Sequence, residues 1–230
     1  SILAVCIILT AVFAPVVTRG VDPLKGSLVD ALLPPCKEHI FGTDKMGRDI
    51  FSRVIYGARA SLSATFGVVA LIFLVGTVTG VLAGYFGGVI DAVIMRIADI
   101  FMSFPSIVLI LVLVAVLGPS VWSVTCVIGV LGWTQFARLI YANVLSVSAR
   151  AIGTSNFKIV TKYVLPNSFA PILIAITFQM ASAILSESSL SFLGMGVQPP
   201  GASWGNMLYD AQSITVLSQK LWIWLPPGLA

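Results

Sequence analysis

The stretch Ala60-Ser-Leu-Ser-Ala-Thr-Phe-Gly-Val-Val-Ala-Leu-Ile-Phe-Leu-Val-Gly-Thr-Val-Thr-Gly-Val-Leu-Ala-Gly-Tyr-Phe86 contains no charged residue. About 20 apolar residues in helical form cross the ~30 Å hydrocarbon core of a bilayer, and this run exceeds that. Backbone amides in lipid must be satisfied within the protein, so a spanning segment is a helix or a strand of a closed barrel. Barrel strands are about 10 residues long and alternate apolar with polar. This run is much longer and continuously apolar, so it reads as a helix. Gly76, Gly80 and Gly84 recur every fourth position and line one face, where a second helix can approach closely.

The rest of the chain has the same character. Hydrophobic residues make up 58% of the 230 and charged residues 10%, with a mean hydropathy of +1.03. Soluble domains carry about 25% charged residues, so a soluble fold is excluded and the bilayer is the expected solvent. The net charge of +4 is dispersed. No Lys/Arg block points to nucleic acid, and the basic excess fits membrane topology instead. Cys6, Cys36 and Cys126 show no metal-binding or CxxC spacing and are expected to be small core residues. No GxxxxGK[ST] occurs, so the chain has no P-loop with which to bind ATP.

Outward from residues 60–86, the pattern predicts an all-α integral membrane protein with six transmembrane helices. The chain opens at Ser1 and stops at Ala230 inside apolar runs, so the first helix (residues 1–17) and the last (from about Lys220) are expected to be truncated. A signal peptide over residues 1–17 is disfavoured, because no small-residue cleavage site followed by a soluble domain comes next. Residues 18–59 hold the only histidine, His39, and most of the charges. They read as an extracytoplasmic segment. Ile50, Phe51, Val54 and Ile55 share one face of a short amphipathic helix there. The membrane core occupies residues 60–230, with further helices over about 91–117, from 121 to 138 or on to 145, and over 167–193. Asp99 is expected to pair with Arg96, nearly one turn away.

Residues 146–166 carry the most information. Arg150, Lys158 and Lys162, approached by Arg138, have no acid among them, and the positive-inside rule assigns such a segment to the cytoplasm. Residues 19–59 then fall outside. Gly153 permits a bend, Ser155 or Asn156 can cap a short helix, and Pro166 closes it before the next span. Phe157, Val160, Tyr163 and Val164 lie on one face. Such a helix can rest on lipid or dock into a partner's groove, and the pattern leaves both open. Glu187, with Ser191 one turn further on, is an ionisable group inside an apolar run. It either faces a substrate path or is solvated near the outer interface.

The segment resembles the EAA loop of binding-protein-dependent ABC importer permeases, through Ala149, Gly153, Leu165 and Pro166. Three further stretches are similar to the dipeptide/oligopeptide/nickel branch, and most of all to its C-type permease. They are Phe41-Gly-Thr-Asp-Lys-Met-Gly-Arg-Asp49, Gly84-Tyr-Phe-Gly-Gly88 with Asp91, and Ser189-Leu-Ser-Phe-Leu-Gly-Met-Gly-Val-Gln-Pro-Pro200 with Ser203-Trp-Gly-Asn-Met207. One departure stands out. Val144-Leu-Ser-Val147 runs straight into Ser148-Ala-Arg150, without the Glu and the charged residues that usually open the family's loop.

The resemblance implies the type I ABC importer (MetI-like) permease fold in a bacterial or archaeal inner or plasma membrane. It implies a homologous permease subunit as heterodimer partner, two cytoplasmic ATPase subunits that bind ATP and Mg, and an extracytoplasmic substrate-binding protein. No cofactor and no catalytic role are expected on this chain. Ser148, Ala149, Gly153, Ser155, Phe157, Val160, Tyr163, Leu165 and Pro166 would form the ATPase-coupling segment, with Glu187 and Ser191 on the translocation path. The cargo would be a dipeptide, an oligopeptide or a nickel or metal-chelate complex. Two other classes compete. A secondary transporter or channel with no ATPase partner would need broken, repeated helices and a coupling-ion site. An intramembrane hydrolase would need a nucleophile with a base or metal ligands, and no HExxH or GxSxG is present.

Overall fold

Asp49 starts the longest element. Its Oδ2 accepts the Ser52 amide at 2.7 Å, satisfying one of the N–H groups that a helix start leaves open. The computed structural model describes residues 2–148 and 165–230, with side chains over 6–146 and 171–230. Two short helices come first, α1 (Ile2–Val12) and α2 (Ala14–Val17). From its cap, α3 runs unbroken over Ile50–Phe86, 37 residues. At 1.5 Å per residue this is about 55 Å, well beyond the bilayer's apolar core. No proline interrupts it, so the short helix expected ahead of Ala60 and leading into the span is the first turns of α3. Nor do those turns present a polar face to solvent: Ser52 and Arg53 are as buried as Ile50 and Val54.

The chain then forms α4 (Gly88–Met102), α5 (Ser106–Leu117), α6 (Val121–Ser148) and α7 (Leu165–Phe192), followed by α8 (Trp204–Asp210), α9 (Ile214–Gln219) and α10 (Leu221–Leu229). The single helix expected over 91–117 is broken between α4 and α5, with an 88° bend. Pro105 removes a backbone donor and disfavours helical geometry at the residue before it. Ser103 closes α4, its hydroxyl donating to the Asp99 carbonyl at 2.7 Å. Among the described residues, three helices are long and apolar enough to cross a membrane, α3, α6 and α7, or four if the bent pair is one span.

Two compact units result. One contains Ser1–Thr65, Val114–Val124 and Ile184–Ala230; the other contains Phe66–Leu113 and Thr125–Ala183. In the second unit α3 and α6 touch along a seam of glycines. A Cβ on Gly67 would meet Thr125 at 2.9 Å, one on Gly76 would meet Phe136 at 2.9 Å, and one on Gly84 would meet Val144 at 2.8 Å. Gly129 and Gly132 of α6 answer with equally tight approaches to Leu71 and Ile72. Partner numbers rise together, so the two helices run parallel. The chain between them must therefore return once, by about 25 Å over the 67–84 length, and the bent α4–α5 pair makes that return. Phe86 and Ser148 thus end on the same side of this unit. Ala98 of α4 packs with Trp133 and Ala137 of α6.

Polar groups fasten α4 to α6. Tyr141 donates to Asp91 at 2.8 Å, and Arg138 binds Asp99. Asp99 therefore pairs across helices rather than with Arg96 on its own helix. The cysteines differ from expectation as well: Cys6, Cys36 and Cys126 are all exposed and free. A chain whose outward helix faces are themselves apolar does not need to bury a small thiol.

The seam makes a stability prediction. A Cβ at Gly80 would lie 2.5 Å from the Ala137 carbonyl oxygen and 2.8 Å from Ile140 Cβ. Overpacking of this kind costs about 1–3 kcal/mol. Gly80→Val should lower the unfolding midpoint of the detergent-purified protein by several degrees, and an unchanged midpoint would show that α3 and α6 do not meet here.

Candidate functional site

In the first unit, the stretch 41–49 folds around one carboxylate. Gly42 and Gly47 have φ of +72° and +69°, conformations open mainly to glycine. A Cβ on Gly47 would overlap the Ser27 carbonyl at 1.8 Å. These turns let Asp44 Oδ1 accept the amides of Met46 at 2.8 Å and Arg48 at 3.0 Å. Its Oδ2 accepts Arg48 Nε at 2.6 Å and stands 3.5 Å from Arg53 Nε. Asp49 caps α3 while its other oxygen lies 3.0 Å from His39 Nδ1. Phe41 stacks edge-on against Phe51 with centroids 5.3 Å apart, and joins the apolar cluster of Ile50, Val54, Met207 and Ile223.

The stretch 189–207 folds onto the end of α7. A Cβ on Gly205 would sit 2.2 Å from the Ser188 carbonyl, so only glycine allows α8 to lie this close. Ser203 and Asn206 form a reciprocal capping box at the start of α8. The Asn206 amide also donates to the carbonyl of Gly201 at 2.8 Å. Trp204 Nε1 donates to the Val54 carbonyl at 3.1 Å, which fixes α8 against α3.

Between these two stretches lies a cleft of about 260 Å³. Arg48, Arg53, Ser191, Asn206, Tyr209 and Asp210 are among its lining residues. Glu187 stands behind it. Its Oε1 accepts the Ser191 hydroxyl at 2.6 Å, and the residue is only 2% exposed. The reading of Glu187 as a carboxylate solvated at the outer interface is therefore corrected: the side chain is buried, and Gly196 and Gly205 pack against its helix neighbours Ser188 and Ser191. Ser191, not Glu187, reaches the cleft.

The charge cluster of Asp44, Arg48, Arg53 and Asp210 was not singled out by sequence reasoning. Asp44 and Arg48 belonged to a recognised stretch, but Asp210 is distant in the chain and nothing local marks it as their partner. Ala149, Gly153, Ser155, Phe157, Val160 and Tyr163 lie outside the described residues. Ser148 is the last residue of α6, while Leu165 and Pro166 open α7.

Residues 76–225 match the family described as binding-protein-dependent transport system inner membrane component. The chain belongs to this family. It is a multi-pass permease component of a binding-protein-dependent transport system. The dipeptide transport system permease protein DppC of Alkalihalophilus pseudofirmus is 40% identical over 97% of this chain and 75% of its own length. The DppC protein of Bacillus subtilis is 37% identical over 86% of this chain and 64% of its own length. A chain of the MetNI methionine ABC transporter, solved in an inward-facing conformation, has a TM-score of 0.62 at 18% identity, covering 78% of this chain and 88% of that one. That likeness bears on the fold alone, and it is the type I importer permease fold expected from the sequence.

The two ion-pair sites should respond differently to mutation. Removing one partner of a buried pair leaves an uncompensated charge and costs about 3–5 kcal/mol. Pairs near half exposure are worth about 0–1 kcal/mol. Asp44→Ala should therefore sharply lower the thermal unfolding midpoint and expose residues 26–48 to protease. Asp99→Asn, whose pair with Arg138 is nearly half exposed, should change the midpoint little. Equal effects would contradict this ranking.

Proposed function

We propose that this chain forms half of the translocation pathway of an ATP-driven importer of di- or oligopeptides in a bacterial or archaeal cell membrane. The observation that carries the peptide reading is the 40% identity, over nearly the whole chain, to a dipeptide permease. The second relative bears the same name, so peptides take precedence over nickel or a metal chelate. A homologous permease subunit completes the pathway, and an extracytoplasmic binding protein delivers the cargo. Two cytoplasmic ATPases bind ATP and Mg, so this chain supplies a conduit and performs no chemistry of its own.

The mechanism is alternating access. ATP binding and hydrolysis change the spacing of the ATPases, and residues 148–166 carry the change into the membrane. Work can be transmitted only if the segment interacts differently with the two ATPase states. The second unit suits this role mechanically. Motion entering at the Ser148 end of α6 acts on α3 through the glycine seam and on α4 through Tyr141–Asp91 and Arg138–Asp99, with no compliant loop between them. The positive-inside rule assigns that end to the cytoplasm, and the 19–59 segment then lies outside. On the outer part of the pathway, Ser191 faces the cargo and Glu187 orients its hydroxyl.

A short amphipathic helix is marginal in water, so the helix that the sequence pattern predicts between Ser155 and Pro166 would need a surface to hold it. Burying one aromatic or aliphatic side chain is worth ~1.5–3 kcal/mol, enough to change docking more than tenfold. Phe157→Asp should abolish ATP-driven uptake and co-purification of the ATPases while the protein still reaches the membrane. Gly153→Val should abolish uptake if the bend that the sequence permits there uses the positive φ that a β-branched residue resists. Normal assembly and transport in both variants would leave lipid as the surface under the helix and remove the coupling role.

Sidedness has its own test. A cysteine at Lys158, with the natural thiols replaced, should resist an impermeant maleimide in intact cells and react in inverted vesicles. Labelling from outside would reverse the topology.

A further inference from the structure

Asp44 and Asp210 meet the same two guanidinium groups on unequal terms. Asp44 is buried and accepts two backbone amides besides Arg48 Nε at 2.6 Å. Asp210, the last residue of α8, is much more exposed. It lies 3.5 Å from Arg48 Nη2 and 3.8 Å from Arg53 Nη2, the outer limit of ion-pair contact. Arg53 is 2% exposed, yet its Nη1 is buried without a hydrogen-bond partner. A guanidinium carries five N–H donors in a rigid fork matched to a carboxylate. An orphaned donor of this kind in a buried site is costly to leave unmade. Arg48 and Arg53 both line the cleft shared with Ser191, Asn206 and Tyr209.

We propose that Arg48 and Arg53 form a carboxylate-binding site and that Asp210 is its built-in placeholder, swinging out to water when a free carboxylate enters. The charges balance in both states. Asp44 neutralises one guanidinium permanently. The other is met loosely by Asp210 or closely by the incoming group, through the Nη2 atoms that Asp210 now faces. Ser191 and Asn206 make the cleft wall polar while their own donors stay bonded to Glu187 and to the Val197 and Gly201 carbonyls, and Asp210 is exposed enough to leave without unpacking α8. The entering carboxylate comes either from the C-terminus of a peptide or from an acidic side chain of the docked binding protein. The site itself stands on the geometry; the peptide probe rests on the peptide-importer reading.

The placeholder role predicts a gain where an ordinary salt bridge predicts a loss. If Asp210 occupies the site about nine-tenths of the time, removing it should tighten carboxylate binding about tenfold. The assembled transporter in nanodiscs would be titrated calorimetrically with dialanine, with dialanine amide, and with peptide-free binding protein. Asp210→Asn should strengthen binding of dialanine but not of its amide if the peptide C-terminus is the source. It should strengthen binding of the peptide-free binding protein if an acidic side chain is. Arg53→Met, combined with Asp210→Asn, should cancel either gain, and Asp210→Ala should reproduce it. Acetate owes nothing to the peptide reading: it should raise the thermal unfolding midpoint of Asp210→Asn and leave that of the double variant unchanged. A gain with acetate but none with dialanine or binding protein would keep the site and sink its assignment to transport. No gain with any of the probes in either Asp210 variant would overturn the proposal.

Discussion

The contact between α3 and α6 at their glycines is the constraint on which the membrane part of this protein depends. In lipid no hydrophobic effect drives helices together, so association relies on close van der Waals packing. At Gly76, Gly80 and Gly84 a single methyl group would collide with Phe136, Ala137 or Val144. The parallel course that this seam enforces has a topological consequence, because the intervening chain must travel back. It does so as a bent pair rather than a straight span, with Pro105 and Ser103 setting the corner. The interhelical hydrogen bond from Tyr141 to Asp91 then holds α4 to the end of α6 from which residues 149–164 continue.

The first unit is held by different physics. Its two folded stretches, 41–49 and 194–207, are irregular backbone whose polar groups find local partners: the Asp44 carboxylate on one side, Asn206 and the Ser203 cap on the other. Irregular structure survives beside apolar helices only when its amides and carbonyls are answered in this way. Glycine recurs here too, but at Gly47 and Gly205 it allows loop or helix backbone to touch neighbouring backbone. The result is a polar cleft framed by buried arginines. Charge in such a place is expensive, which is why all four members of the Asp44–Arg48–Arg53–Asp210 cluster sit within reach of an opposite partner.

The two units are therefore built differently. The glycine-seamed helices of the second are packed backbone against side chain with no room for a methyl group. The folded stretches of the first bear polar groups, one of them the exposed Asp210 carboxylate in loose contact with its partners.

The sequence by itself determined that the chain is a helical membrane protein, where α6, α7 and α10 begin to within a few residues, and which glycines face a neighbouring helix. These follow from local quantities: runs of apolar residues, the absence of charge and a period of four. The quoted stretches at 41–49, 84–91 and 189–207 also pointed correctly to the permease family. Tertiary structure alone decided the rest. The helix ahead of Ala60 merged into α3 because Asp49 caps it and Arg53 finds buried partners. The span over 91–117 bent. Asp99 chose Arg138 over its helical neighbour Arg96. Glu187 was buried where no local pattern announces it. The Asp99 and Arg53 cases turn on which charges meet across the chain, whereas the bend follows from Pro105 within an otherwise apolar run. An apolar periodicity is written in adjacent residues, whereas a charge pair such as Arg53 with Asp210 exists only once the fold has closed the distance.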